Sequence, residues 1–292
     1  AMACVQGQPT APLAVAAIVG SSFSSAGLKG CALEEVWVDT HFGRVAVHRL
    51  VQSDPARVCF IVFRHGCPHK YLPHQIPYRA LVCALRQLGV RALLTTSSVG
   101  VLDSTLPLFT PLLTTDVLMP TNALPDGTAC TMFVHGFGSG GRQGECHSEP
   151  RQGHLVLDEG IFSRALGDAL LRLCARRTPP LPVVSGLSVV FAYVPGPRVK
   201  TPAENFYWKS VGAHVNSMTF APEAVLANEL GIPVVGIAIG HVGASPKKED
   251  NNVSADFIDK SLELSRAAVE DIVEEFLLRI EPVPWRNRLH VL

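Results

Sequence analysis

The chain has 292 residues, 47% hydrophobic and 17% charged, with Lys+Arg and Asp+Glu balanced at 25 each. That composition supports one large buried core or two small ones. The balanced charge excludes the basic excess of a nucleic-acid binder. The apolar stretch nearest the start, Pro12 to Gly20, is too short to span a bilayer, so no membrane partner is expected.

In chain order, "LAVAAIVG" (13–20) reads as a first strand stopped by Gly and two serines. "EEVWVDT" and "GRVAVHRLV" alternate apolar and polar residues, predicting a hairpin around Phe42-Gly43. "RVCFIVFRHG" (57–66) is a buried strand with a polar end, and "HQIPYRALVCALRQLG" (74–89) has helical spacing and a Gly stop. "VRALLTTSS" (90–98) and "PLLTTDVLM" (111–119) are further strands. Residues 120–160, rich in Gly, Pro, Thr and His, are expected to form a long loop. Residues 158–177 then form an amphipathic helix, and 186–198 a strand running into a turn. The segments 201–212 and 221–231 are helices with Gly stops, with the short strand "AHVNSMT" between them. "VVGIAIG" (234–240) is a buried parallel strand, and 254–280 a long last helix. The pattern predicts a single α/β domain over 1–292: a mixed, twisted central sheet flanked by helices.

No Lys or Arg precedes Lys29, so a secretory leader is not expected and the compartment is read as cytoplasmic. Eight dispersed cysteines without a C-x-x-C pair indicate thiols, neither a disulfide framework nor a zinc site. His65, His69 and His74 fit neither one helical face nor a zinc spacing, so no metal is expected.

Polar residues gather at the predicted strand ends: Gly20-Ser21-Ser22, Arg64-His65-Gly66, Thr95 to Ser98, and Met218-Thr219. Each alone is an ordinary turn or cap. Together, glycine amides, hydroxyls, an Arg and a His at neighbouring strand ends make an anion cradle, and in open α/β sheets ligands sit beyond the carboxyl ends of strands.

These residues carry a resemblance. "GPRVKTPAENFYWKSVGAHVNSMTFAPEAVLANELGIPVVGIAIG", "IVGSSF", "RHGCPHKYLPHQIPYRA" and "LLTTSSVG" resemble motifs of the purine nucleoside phosphorylases, and most closely the 5'-methylthioadenosine phosphorylases. The resemblance implies phosphorolysis of a purine-type nucleoside, with or without a 5'-methylthio group, to free base and sugar 1-phosphate. It implies inorganic phosphate as co-substrate, no other cofactor, a homotrimer and a role in purine salvage. By position, Ser21, Ser22, Arg64, His65, Thr96, Ser97 and Thr219 would bind phosphate. His69 and Met218 would lie at the ribose, and Val253 and Phe257 at the 5' substituent.

The base site departs from the family pattern. Val199 stands where the resemblance implies an aromatic that stacks on the base, and Lys200 where it implies Ser or Glu. Val242 replaces an Asp or Asn that bonds the base, and Ala244 a second acid. A valine cannot donate a proton, and loss of such a donor costs about 10²- to 10⁴-fold in rate. Lys200 or His241 is therefore expected to supply the hydrogen bond to the leaving base, with His65 as the third catalytic candidate. Lys200 suits a carbonyl-bearing base better than an adenine amino group. A catalytically degenerate homologue acting as a binding, structural or regulatory subunit is the alternative. A nucleosidase using water is disfavoured by the retained Arg64.

Overall fold

The computed structural model describes residues 12–23, 28, 30–52, 54–134, 153–244 and 255–291, with side chains from 259 onward in the last segment. β1 (Leu13–Val19) shows how its layers arise. Ala14, Ala16 and Ile18 enter one apolar cluster, while Val15, Ala17 and Val19 enter another. Alternation with both faces apolar is what a central strand covered on both sides requires.

β1 pairs in parallel with β4 (Arg57–Phe63) and with β5 (Val90–Val101). The first part of β5 lies between β1 and a second parallel neighbour, β11 (Val234–Gly243). Its last residues, Gly100 and Val101, pair antiparallel with β10 (Val215–Ser217). The sheet continues through β9 (Val190–Tyr193) to β7 (Asp116–Leu118). At the opposite edge lies the hairpin of β2 (Leu33–Thr40) and β3 (Gly43–Leu50), joined through β4. β6 (Pro111–Thr114) adds antiparallel to β11. The predicted mixed sheet flanked by helices is the observed architecture, with ten strands among the described residues.

One face is covered by α1 (Tyr78–Gln87) and α4 (Ala221–Glu229), which bury Val82, Leu85, Ala224 and Leu226. The other is covered by α2 (Arg164–Arg176) and α5 (Ala255–Arg279), which bury Leu166, Leu170, Val269, Ile272 and Phe276. α3 (Pro202–Ser210) opens on a capping box between Thr201 and Glu204.

Three expectations are revised. The predicted loop over 120–160 contains a strand, β8 (Gly153–Val156), whose antiparallel partner β12 (Arg288–Val291) lies at the far end of the chain. Two such short, half-exposed segments stabilise one another only through long-range pairing. The helix expected from 158 begins at Arg164, because the Ser163 hydroxyl accepts the Leu166 N–H as its cap. The single strand expected over 111–119 breaks at Thr115 into β6 and β7, which join different parts of the sheet.

Gly236 makes a close approach possible beneath the strand ends. A Cβ there would fall 2.5 Å from Phe220 and 2.7 Å from Phe162. The missing side chain makes room for Phe220, which is fully buried and stacks on Phe191 at 4.5 Å between ring centroids. Phe220 has φ of 80°, a left-handed conformation unusual for an aromatic residue. Its packing holds that turn, and the turn carries Met218 and Thr219 on its leading side.

Candidate active site

The strand-end segments converge. Gly20, Ser22, Thr96, Ser97 and Ser98 line one concavity, closed from below by Ile239 and by Ser265 and Val269 of α5. Ser21 and Ser22 form a 3-10 turn directly after β1. The Ser97 hydroxyl lies 3.5 Å from that of Thr219 and 3.3 Å from that of Ser217. Ser217 in turn donates to the Ser98 carbonyl at 3.1 Å. The β5–β10 junction thus brings together hydroxyls more than a hundred residues apart in the chain, and Thr219 stands just ahead of α4.

Arg64 enters this region from the end of β4, and its side chain is fully buried. Its Nε donates to Glu223 Oε1 at 2.6 Å and its Nη2 to Glu223 Oε2 at 2.6 Å. Nη2 also donates to the Thr95 hydroxyl at 3.0 Å, and Nη1 to the Thr96 carbonyl at 2.7 Å. Thr95 completes the ring by donating to Glu223 Oε2 at 2.5 Å. The cation expected as a phosphate clamp is therefore already paired with a buried carboxylate. In the sequence Glu223 belongs to the Met-Thr-x-x-Pro-Glu block that carries the resemblance, but nothing there gives it a role at the site. Its pairing with Arg64, and the part played by Thr95, come from the tertiary fold.

His65 is buried, and its Nδ1 lies 2.8 Å from the Tyr71 carbonyl. In the neutral ring that partner requires the proton on Nδ1, leaving Nε2 as an acceptor. Burial, reinforced by the Arg64 charge, pushes His65 down to about 4, so it is neutral near pH 7. His69 stacks on it, with ring centroids 4.7 Å apart.

The base-side candidates occupy different settings. Val199 is 81% exposed, on the turn before α3. Lys200 is half-buried, and desolvation lowers its ammonium to about 8 against the partial support of Glu204. His241 is pushed down to about 4 by burial and then by the charge of Lys200, which places the two side chains in one electrostatic neighbourhood. Its Nδ1 lies 3.3 Å from the Ser261 hydroxyl of α5. β11 carries a register shift between Gly240 and Val242, where Gly240 opposes Val99 and Val242 opposes Gly100. His241 is the additional residue of that bulge, a device that re-aims side chains at sheet ends. Val242 follows it, half-buried. Met218 packs its thioether where a side chain on Gly196 would sit. Val253 and the side chain of Phe257 lie outside the described residues. Among the described residues, no group of three His, Cys, Asp or Glu could hold a metal ion, and no helix is long and apolar enough to cross a membrane.

Residues 14–278 match the family model described as the phosphorylase superfamily. A Pyrobaculum aerophilum protein named S-methyl-5'-thioadenosine phosphorylase is 30% identical over 218 residues, covering 74% of this chain and 69% of its own. A Moorella thermoacetica protein named "Probable 6-oxopurine nucleoside phosphorylase" is 31% identical over 218 residues, covering 75% of each. The methylthioadenosine phosphorylase of Schistosoma mansoni, solved with adenine, matches with a TM-score of 0.72 over 91% of this chain and 90% of its own. At 24% identity that likeness speaks for the fold alone.

Proposed function

The chain belongs to the phosphorylase superfamily, and we propose that it phosphorolyses a purine nucleoside to free base and sugar 1-phosphate. The observation that carries this reading is the concavity lined by Gly20, Ser22, Thr96 and Ser97 beyond the carboxyl ends of β1 and β5, with the Thr219 hydroxyl against Ser97 and the Arg64 guanidinium against the Thr96 carbonyl behind it. A ring of hydroxyls and one guanidinium N–H suits a tetrahedral oxyanion. Ser21 and the neutral His65 complete the set, and inorganic phosphate is the co-substrate with no further cofactor. That the matched relatives carry phosphorylase names supports turnover over a binding-only role.

The reaction forms a bond from a phosphate oxygen to C1' as the bond from C1' to the base nitrogen breaks. Positive charge develops on the sugar, and the bound phosphate beneath it stabilises that charge. The bonding pair leaves with the base, which needs a proton or hydrogen bond. Lys200 and His241 are not equivalent donors for this task. With its pKa near 8, Lys200 is largely an ammonium at pH 7, whereas His241, near 4, is neutral. Lys200 therefore donates to the base and recovers its proton from solvent. His241 orients the base through its neutral ring. An ammonium favours a carbonyl at the purine 6-position over an amino group, in line with the name of the Moorella relative. Val199 and Val242 offer only apolar contact to the base, Met218 and His69 flank the ribose, and the family resemblance assigns Val253 and Phe257, which lie outside the described side chains, to the 5' substituent.

The chain works as a cytoplasmic homotrimer in purine salvage. The exposed Phe206, Tyr207 and Val211 on and beside α3 supply apolar surface that self-association would cover. A phosphorolysis assay over inosine, adenosine and their 5'-methylthio analogues, with and without phosphate, tests the reading. Phosphate-dependent release of hypoxanthine supports it. Phosphate binding without turnover of any nucleoside refutes it in favour of the degenerate homologue, and light scattering tests the trimer.

A further inference from the structure

Arg64 has five N–H donors, and the chain uses four of them: Nε and one Nη2 N–H on Glu223, the other Nη2 N–H on Thr95, and one Nη1 N–H on the Thr96 carbonyl. Among the described residues the second Nη1 N–H has no partner. Nη1 lies 3.1 Å from where a Cβ on Gly20 would stand, so it faces the glycine turn that opens the concavity. Glu223 grips the opposite edge of the same guanidinium bidentately, with no solvent access to either side chain. A planar fork held at three of its corners cannot swing.

We infer that Glu223 is a positioning residue for the oxyanion: through Arg64, and with Thr95 as the bridging hydroxyl, it aims a single Nη1 N–H into the cradle. This rests on the proposed phosphate-binding role of the cradle. The arrangement also has an electrostatic consequence. Arg64 and Glu223 sum to zero charge, and His65 is neutral, so among the described residues the cradle offers its anion directed dipoles and N–H groups in place of an uncompensated cation. Glu223 trades some attraction for the anion against fixed geometry. Its removal is therefore expected to act on the chemical step more than on phosphate affinity, since misplacement by about 1 Å can cost about 10²-fold in rate.

The experiment compares the wild type, Glu223→Gln and Thr95→Val by isothermal titration with inorganic phosphate, by steady-state phosphorolysis with both substrates varied, and by thermal melting. Expected for Glu223→Gln is a fall in kcat of about 10²-fold, with the phosphate Kd unchanged or tighter, because the unpaired guanidinium gains the phosphate as its counter-ion. Nucleoside KM stays within threefold. Thr95→Val keeps the carboxylate and is nearly isosteric, so it tests the same network if Glu223→Gln does not fold. It is expected to lower kcat severalfold with the same unchanged phosphate Kd. Folded variants with kcat near that of the wild type, or with kcat intact and only phosphate affinity lost, overturn the positioning role. A wild type that neither binds nor uses phosphate overturns the underlying functional reading instead, and the two failures are separate in the data.

Discussion

Gly20→Ala isolates the cradle from the stability of the fold. Gly20 lies outside the left-handed region, so alanine fits its backbone without strain. Among the described residues, its chain neighbours aside, the added methyl would meet only Arg64 Nη1 at 3.1 Å and the Thr96 carbonyl at 3.8 Å within 4 Å. A contact at 3.1 Å asks the guanidinium to give by a few tenths of an ångström, yet Glu223, Thr95 and Thr96 hold it. The methyl therefore screens the one N–H left for the anion. A hydrogen bond to a charged group contributes about 1.5–3 kcal/mol, which corresponds to about 10- to 10²-fold in the KM for phosphate. The cost of that contact against a held guanidinium offsets the about 0.4–1 kcal/mol gained by restricting the unfolded chain, so net stability moves by no more than about 1 kcal/mol. Initial rates across a phosphate titration, paired with melting curves, measure both effects. A phosphate KM within twofold of the wild type, at unchanged stability, would refute the presentation of Nη1 at the Gly20 turn.

If the Lys200 ammonium protonates the leaving base, kcat/KM falls as pH rises through about 8. Lys200→Met removes that alkaline limb and lowers the rate on 6-oxopurine nucleosides by about 10²- to 10⁴-fold, read from a pH–rate profile. His65 titrates near 4 when folded against 6.5 when free, so its neutral burial contributes fully above pH 6.5. That contribution is lost as pH falls toward 4, on the order of 3 kcal/mol, and His65→Asn flattens this part of the curve of denaturant midpoint against pH. Gly236→Val places a side chain inside Phe220 and Phe162. It is expected to cost about 1–3 kcal/mol by overpacking, with the loss of phosphorolysis tracking displacement of Thr219.

The ends of the elements are legible where glycine, proline or a hydroxyl cap interrupts a period. The Gly43 turn, the helix start at 201 and the apolar runs of β1 and β11 follow from local chemistry, and their structural positions agree with it. The short β8 and β12 are not legible, because each lacks a full alternating pattern and gains order only from the other. The His241 bulge is equally hidden, since a register shift is a relation between two strands.

The sequence by itself determined that polar groups stand at the ends of buried strands, since apolar runs and their stops are local and steric. The resemblance of its motifs to those of nucleoside phosphorylases also marks Val242 as a position where an Asp or Asn is implied. Only the tertiary structure decided how charge is distributed in the cradle. Glu223 and Arg64 are 159 positions apart, and nothing local to either foretells that one neutralises the other. Burial makes that pairing obligatory, because a guanidinium without solvent must find a carboxylate or remain costly.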